Sequence, residues 1–241
     1  MNNLENYTRF DEVLSDFVEI SKTIEDIRQR IAQGGVSYAS QDARQVALEG
    51  LQCDIGACGN WIKSLTSLKQ LCQEYFGEEW ELKYQQRMGT GLDIGKAEDL
   101  MLDYLRNTLT TKIHFKIENL FSNILKAIST NSPRGFWNIG NAMLLIAGIS
   151  TSGREKEILT VLANLRNSFH ANGIHNNADL KIQIDGIDFN FIKGQPVECA
   201  GWRHIVTVIK SNIAVVEAVL FSSAVASHSR EIKDEFAVTN S

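Results

Sequence analysis

Proline occurs only twice in this chain, at Pro133 and Pro196, so long stretches carry no residue that would interrupt a helix. Cysteine is nearly as sparse. Cys53, Cys58, Cys72 and Cys199 form no Cys-x-x-Cys pair, which argues against a zinc knuckle or a disulfide framework and leaves free thiols as the expectation. Basic excess is absent too: the formal net charge is −5, so no global electrostatic footprint for nucleic acid exists and any RNA contact must be local. The apolar stretches around "AMLLIAGI" and "IAVVEAVLF" are too short or too interrupted to span a bilayer. "MNNLENYTRFDEVL" lacks a basic segment followed by an apolar one, so no secretory signal is read there and a cytoplasmic location is expected.

What the chain does have is helical periodicity. Phe10, Val13, Leu14, Phe17, Ile20, Ile24, Ile27 and Ile31 recur at helical spacing, and Gly34-Gly35 is read as the stop. A second amphipathic segment is predicted over 40–75, with the glycines of "CDIGACGNW" able to kink it or admit a neighbour. "FGEEWELKYQQRMGTGLDIG" reads as a polar connection containing a short helix. A third long helix is predicted over 96–129, ended by "TNSPRG". "FWNIGNAMLLIAGI" follows as a short buried helix.

In "TSGREKEILTVLANLRNSFHANG", Ser152 and Glu155 have the spacing of a capping box and Gly173 is the stop. The one clear β signal is "KIQIDGIDFNFI". There Ile182 and Ile184, then Ile187, Phe189 and Phe191, alternate with polar residues around an Asp185-Gly186 turn. A last helix is predicted over 201–230. The expected fold is therefore all-α, an antiparallel helical bundle with an inserted β-hairpin near 181–192. Residues 1–92 are expected to form a helical extension packed on a bundle of residues 93–241. Trp61, Trp137 and Trp202 fall among apolar residues and are expected in the core.

The segment "LRNSFHANGIH" raises a chemical question. On a helix, Arg166 and His170 are four apart and share one face, with Asn167 beside them. A histidine exchanges protons near neutral pH, and an arginine forks onto phosphate oxygens. Metal-free RNA cleavage needs both, since a base must take the 2′-hydroxyl proton while a cation steadies the phosphorane. The alternative is structural: basic residues in a last helical turn meet the negative end of the helix dipole. A parallel pattern in "LRNTLTTKIH", ending at His114, lacks the glycine stop and is read as a solvated helix face.

"LRNSFHANGIH" resembles the Arg-Asn…His signature of HEPN domains, a superfamily of helical bundles whose motif places a histidine after four to six intervening residues. Here Arg166 is separated from His170 by three residues and from His175 by eight, so both histidines stand as candidates. The resemblance implies a metal-independent ribonuclease of the defence or toxin–antitoxin kind. Arg166 would then bind phosphate, Asn167 orient the pair, and His170 or His175 move the proton. It also implies a homodimer, an RNA substrate and an antitoxin or other protein partner. Silent relatives that serve as interaction modules give the alternative function.

No cofactor or metal is expected. "FGEEWE" has no histidine at ligand spacing, and "GTGLDIG" lacks the lysine and flanking elements of a phosphate-binding loop. The final helix, with Ile205, Val208, Ile209, Ile213, Val216, Val219 and Leu220, and the hairpin phenylalanines are expected to leave apolar surface for a second copy.

Overall fold

The apolar spacing read from the first segment closes into α1, Phe10–Gln33, whose Val13, Phe17, Ile20, Ile24 and Ile27 are all buried. The computed structural model describes residues 10–33, 38–88, 94–129 and 133–234. Gly34-Gly35, most of "GTGLDIG" and part of "TNSPRG" lie outside the described residues. The long helix α2, Ala43–Phe76, starts later than expected because Asp42 caps it, accepting a hydrogen bond from the Arg44 amide at 2.9 Å. It runs without interruption through "CDIGACGNW". Gly59 faces α1, where a Cβ would meet Phe17 Cδ2 at 3.5 Å, an ordinary packing distance.

A 3₁₀ turn, Gly77–Glu79, and α3, Trp80–Met88, follow. Then come α4, Ile94–Ile128, α5, Phe136–Ile146, and α6, Arg154–His170. The hairpin strands β1, Leu180–Ile184, and β2, Ile187–Phe191, pair antiparallel with Ile184 opposite Ile187. Asp185 and Gly186 both take positive φ, as a two-residue turn of this kind requires. Helices α7, Trp202–Leu220, and α8, Ser223–Ala226, complete the described chain. The fold is the expected all-α bundle with a β-hairpin insert.

Helix α4 is the axis of the bundle. It packs on α2, α5, α6 and α7, and one hydrophobic core runs from Val13 of α1 to Ile232 beyond α8. A helix covered on several sides is buried beyond one apolar stripe. Arg106, Thr110 and His114 are therefore inside, 5%, 1% and 4% exposed, and the reading of "LRNTLTTKIH" as a solvated face is overturned.

Four further expectations are corrected. The final helix stops at Leu220 rather than near 230. Ser222 takes an extended backbone and its carbonyl receives the amides of Val225 and Ala226, starting a separate turn. The capping box does not form. Gly153 is the N-cap of α6, with no side-chain bond, and the Ser152 hydroxyl turns instead to Ser150 Oγ at 3.3 Å. Trp202 is in the core, but Trp61 and Trp137 are 58% and 50% exposed. Finally, the apolar residues of α7 and the hairpin are spent inside the chain, with Phe189, Phe191, Ile205, Ile213 and Val216 all buried. They offer no free face. Large exposed apolar side chains lie instead on the distal half of α2 and the start of α4, among them Leu68, Leu71, Tyr75, Leu100 and Tyr104.

Candidate functional site

Helix α6 ends as its sequence dictates. Asn172 takes a left-handed φ of 55°, Gly173 follows at 82°, and the Gly173 amide donates to the Ser168 carbonyl at 2.8 Å. This is a Schellman closure with Asn172 in the left-handed position. It stops the helix one turn after Arg166 and turns the chain away, leaving His170 at an open end.

Arg166, Asn167 and His170 sit together on α6, as expected from their spacing. Arg166 Nη1 donates to Asn167 Oδ1 at 3.0 Å, and the guanidinium lies 5.1 Å from the centre of the Phe115 ring of α4. Arg166 Nε is buried, with no hydrogen-bond partner among the described residues. His170 is exposed, and among the described residues its ring makes no hydrogen bond. It borders a groove of about 270 Å³ between α6 and α4, lined also by Phe169, Tyr104, Asn107, Thr108, Thr111 and Lys112.

The facing helix supplies two groups that sequence reasoning missed. His114 is stacked on Phe136 of α5 with ring centroids 4.1 Å apart. Burial, together with the nearby charges of Arg166 and His170, pushes its pKa from 6.5 down to about 4. Glu118, whose Oε2 lies 3.8 Å from His114 Nδ1, is pulled two ways. Burial raises its pKa and the Arg166 charge opposes that, with burial the larger effect. The sequence signal was present, since His114 adjoins Ile113 and Ile117 in the apolar pattern. Nothing in one helix's periodicity announces that α6 brings an arginine to it.

His175 is placed elsewhere. It is 1% exposed, its Nε2 is 3.0 Å from the Ala178 carbonyl, and its ring lies 5.2 Å from Phe191. Its backbone bonds to Gln195 and Gly194, which ties the loop after α6 to the loop after the hairpin. The structure thus brings Arg166, Asn167 and His170 together with His114 and Glu118, and gives His175 a different set of neighbours.

Among the described residues no group of three or more His, Cys, Asp or Glu side chains is arranged to hold a metal ion. No described helix is long and apolar enough to cross a membrane. Comparison with protein-family models, with curated proteins and with solved structures yields no match to this chain.

Proposed function

We propose that this chain is a HEPN-type, metal-independent endoribonuclease of the defence or toxin–antitoxin kind, acting through the α6 face that carries Arg166 and His170. The observation that carries the reading is the open groove at His170. An imidazole with no hydrogen-bond partner among the described residues borders a cleft with the Lys112 ammonium, one turn from a permanently charged guanidinium. A pure helix cap would have its donors on the last carbonyls. Arg166 instead bonds to Asn167 and lies over Phe115.

In this reading His170 takes the proton of the 2′-hydroxyl, and that oxygen forms a bond to the adjacent phosphorus. The bond from phosphorus to the 5′-oxygen breaks, and the departing oxygen takes up a proton from His170 or water. Arg166 and Lys112 stabilise the charge on the phosphorane. The products are a 2′,3′-cyclic phosphate and a 5′-hydroxyl.

Purified protein incubated with structured and unstructured RNA, with and without EDTA, tests this. Cleavage is expected to survive EDTA and to leave cyclic-phosphate ends. His170→Ala is expected to lower the rate by roughly 10²–10⁴-fold while the melting temperature stays unchanged. Activity that vanished with EDTA, or that persisted in His170→Ala, would remove the mechanism.

A second reading, a silent interaction module, is favoured by a different observation. Beyond Ile62 the α2 helix is largely exposed, and Leu68, Leu71 and Tyr75 there, with Leu82 of α3 and Leu100 of α4, are at least half exposed among the described residues. That arm suits a second copy or an antitoxin-like protein, and a homodimer assembled through it is compatible with either reading. Light scattering that gives a monomer mass across a wide concentration range would count against the homodimer.

A further inference from the structure

A second groove, of about 430 Å³, lies between α2 and α4 and is lined by Trp61, Cys58, Met101, Tyr104 and Leu105. It adjoins the groove at His170, and Tyr104, Thr108 and Lys112 line both. Along α4 these residues form one stripe at spacings of three and four, Met101, Tyr104, Thr108 and Lys112. The chemistry of the stripe changes in order from apolar and aromatic to hydroxyl to cation. Tyr104 and Lys112 are eight residues apart, about 12 Å along the helix axis.

Trp61 and Tyr104 are 58% and 64% exposed. Among the described residues neither the indole N–H nor the phenol O–H has a hydrogen-bond partner, and neither ring stacks on another aromatic. Rings that serve as packing bury their bodies and pair their polar ends; these do neither.

We infer that Trp61 and Tyr104 are a base-stacking platform that makes single-stranded RNA the substrate class of the His170 groove, an inference that rests on the RNA reading of that groove. Every base offers a π-face to an aromatic ring, so a platform of this kind tolerates sequence. It does not tolerate pairing, because the bases of an A-form duplex are stacked on one another and present only edges.

The charge at the junction fits a polyanion. Lys112, which lines both grooves, has its Nζ 2.8 Å from the carboxylate of Asp54 in the larger groove. Lys116 Nζ, one helical turn beyond the linings, lies 3.4 Å from the other Asp54 oxygen, so two ammoniums share one negative charge. Asn107, Thr108 and Thr111 supply amide and hydroxyl groups for a ribose and phosphate. A face for a second protein would continue apolar past Tyr104; this one turns polar and cationic towards His170.

The test is fluorescence anisotropy with the full chain and a labelled 12-nucleotide 2′-O-methyl oligoadenylate, which has no free 2′-hydroxyl and so cannot be cleaved by this route. A 12-base-pair 2′-O-methyl duplex is the comparison. The single strand is expected to bind at least tenfold more tightly than the duplex. Trp61→Ala and Tyr104→Ala are each expected to weaken it by roughly 5- to 100-fold, with Trp61→Phe and Tyr104→Phe retaining most of the affinity. Both side chains are exposed, so circular dichroism and melting should not change.

Equal affinity for strand and duplex, or indifference to both alanine variants, overturns the inference. So does a wild-type dimer that Trp61→Ala/Tyr104→Ala converts to a monomer, since the groove would then be a contact between copies. If the platform behaves as expected while wild-type protein leaves ordinary RNA intact, the platform stands and the ribonuclease reading falls.

Discussion

His114 of α4 lies against Phe136 of α5 with an interplanar angle of 29°, sandwiching an ionisable ring in the core beside the Arg166 guanidinium. The imidazole is held neutral at any pH above about 4, while in the unfolded chain it titrates near 6.5. Its contribution to stability is therefore complete above pH 6.5 and is lost as pH falls towards 4. The unfolded state takes up the proton first. Urea midpoints measured across that window are expected to show a loss of about 3 kcal/mol from this residue. His114→Phe, which keeps the ring stack, should flatten that part of the profile.

Arg166 acts on the same ring through its charge. Removing it with Arg166→Gln is expected to raise the pKa of His114, because the cation opposes protonation of the imidazole. The pKa of Glu118 should rise as well, because the same cation favours the carboxylate. NMR titration of the two side chains checks both directions. A His114 titration that stayed put in the variant would show that burial and the His170 charge hold it down without the guanidinium.

The start of α2 and the last described residues are locked by a buried ion pair. Asp42 accepts from Arg44 Nε at 2.8 Å and Nη2 at 2.7 Å, and both side chains are fully buried. Arg44 also donates to the carbonyls of His228 and Arg230, each at 3.0 Å, while Asp42 Oδ2 receives the Ile232 amide at 2.9 Å. Asp42→Ala strands a guanidinium in the core and is expected to cost about 3–5 kcal/mol in chemical denaturation. Limited proteolysis should then cut near 228–232, where wild-type protein resists.

Gly173 offers a cleaner backbone test. Its φ is 82° and a Cβ built there meets nothing within 4 Å, so Gly173→Ala adds strain without a clash. The expected cost is about 1–2 kcal/mol in a denaturant titration. A much larger loss would mean that the loop carrying His175 had moved as well.

Lys156 titrates in the opposite range from His114. Its ammonium sits 3.1 Å from the centre of the half-exposed Trp137 ring, and burial lowers its pKa to about 8. The unfolded chain binds this proton more tightly, so the fold gains stability as pH rises from about 8 towards 10.5. Lys156→Met should remove that rise, measured as the melting temperature between those limits.

Much of this molecule is decided locally, and there the sequence suffices. Asp185-Gly186 can hold positive φ at low cost, so the hairpin turn and its register follow from two residues. Asn172-Gly173 ends α6 for the same reason and leaves His170 in its last turn. The four-residue spacing of Arg166 and His170 is a property of any helix, and needs no partner to be read.

What tertiary structure alone decided is which side chains the other helices cover. His114 looked solvated because one periodicity predicts one buried stripe, whereas α4 is covered on several sides by α2, α5, α6 and α7. Trp61 looked buried because it follows the apolar pattern of α2, yet it borders an open groove instead. The meeting of His114 and Glu118 with Arg166 has no trace in either segment, because they are about fifty residues apart and only packing brings them together.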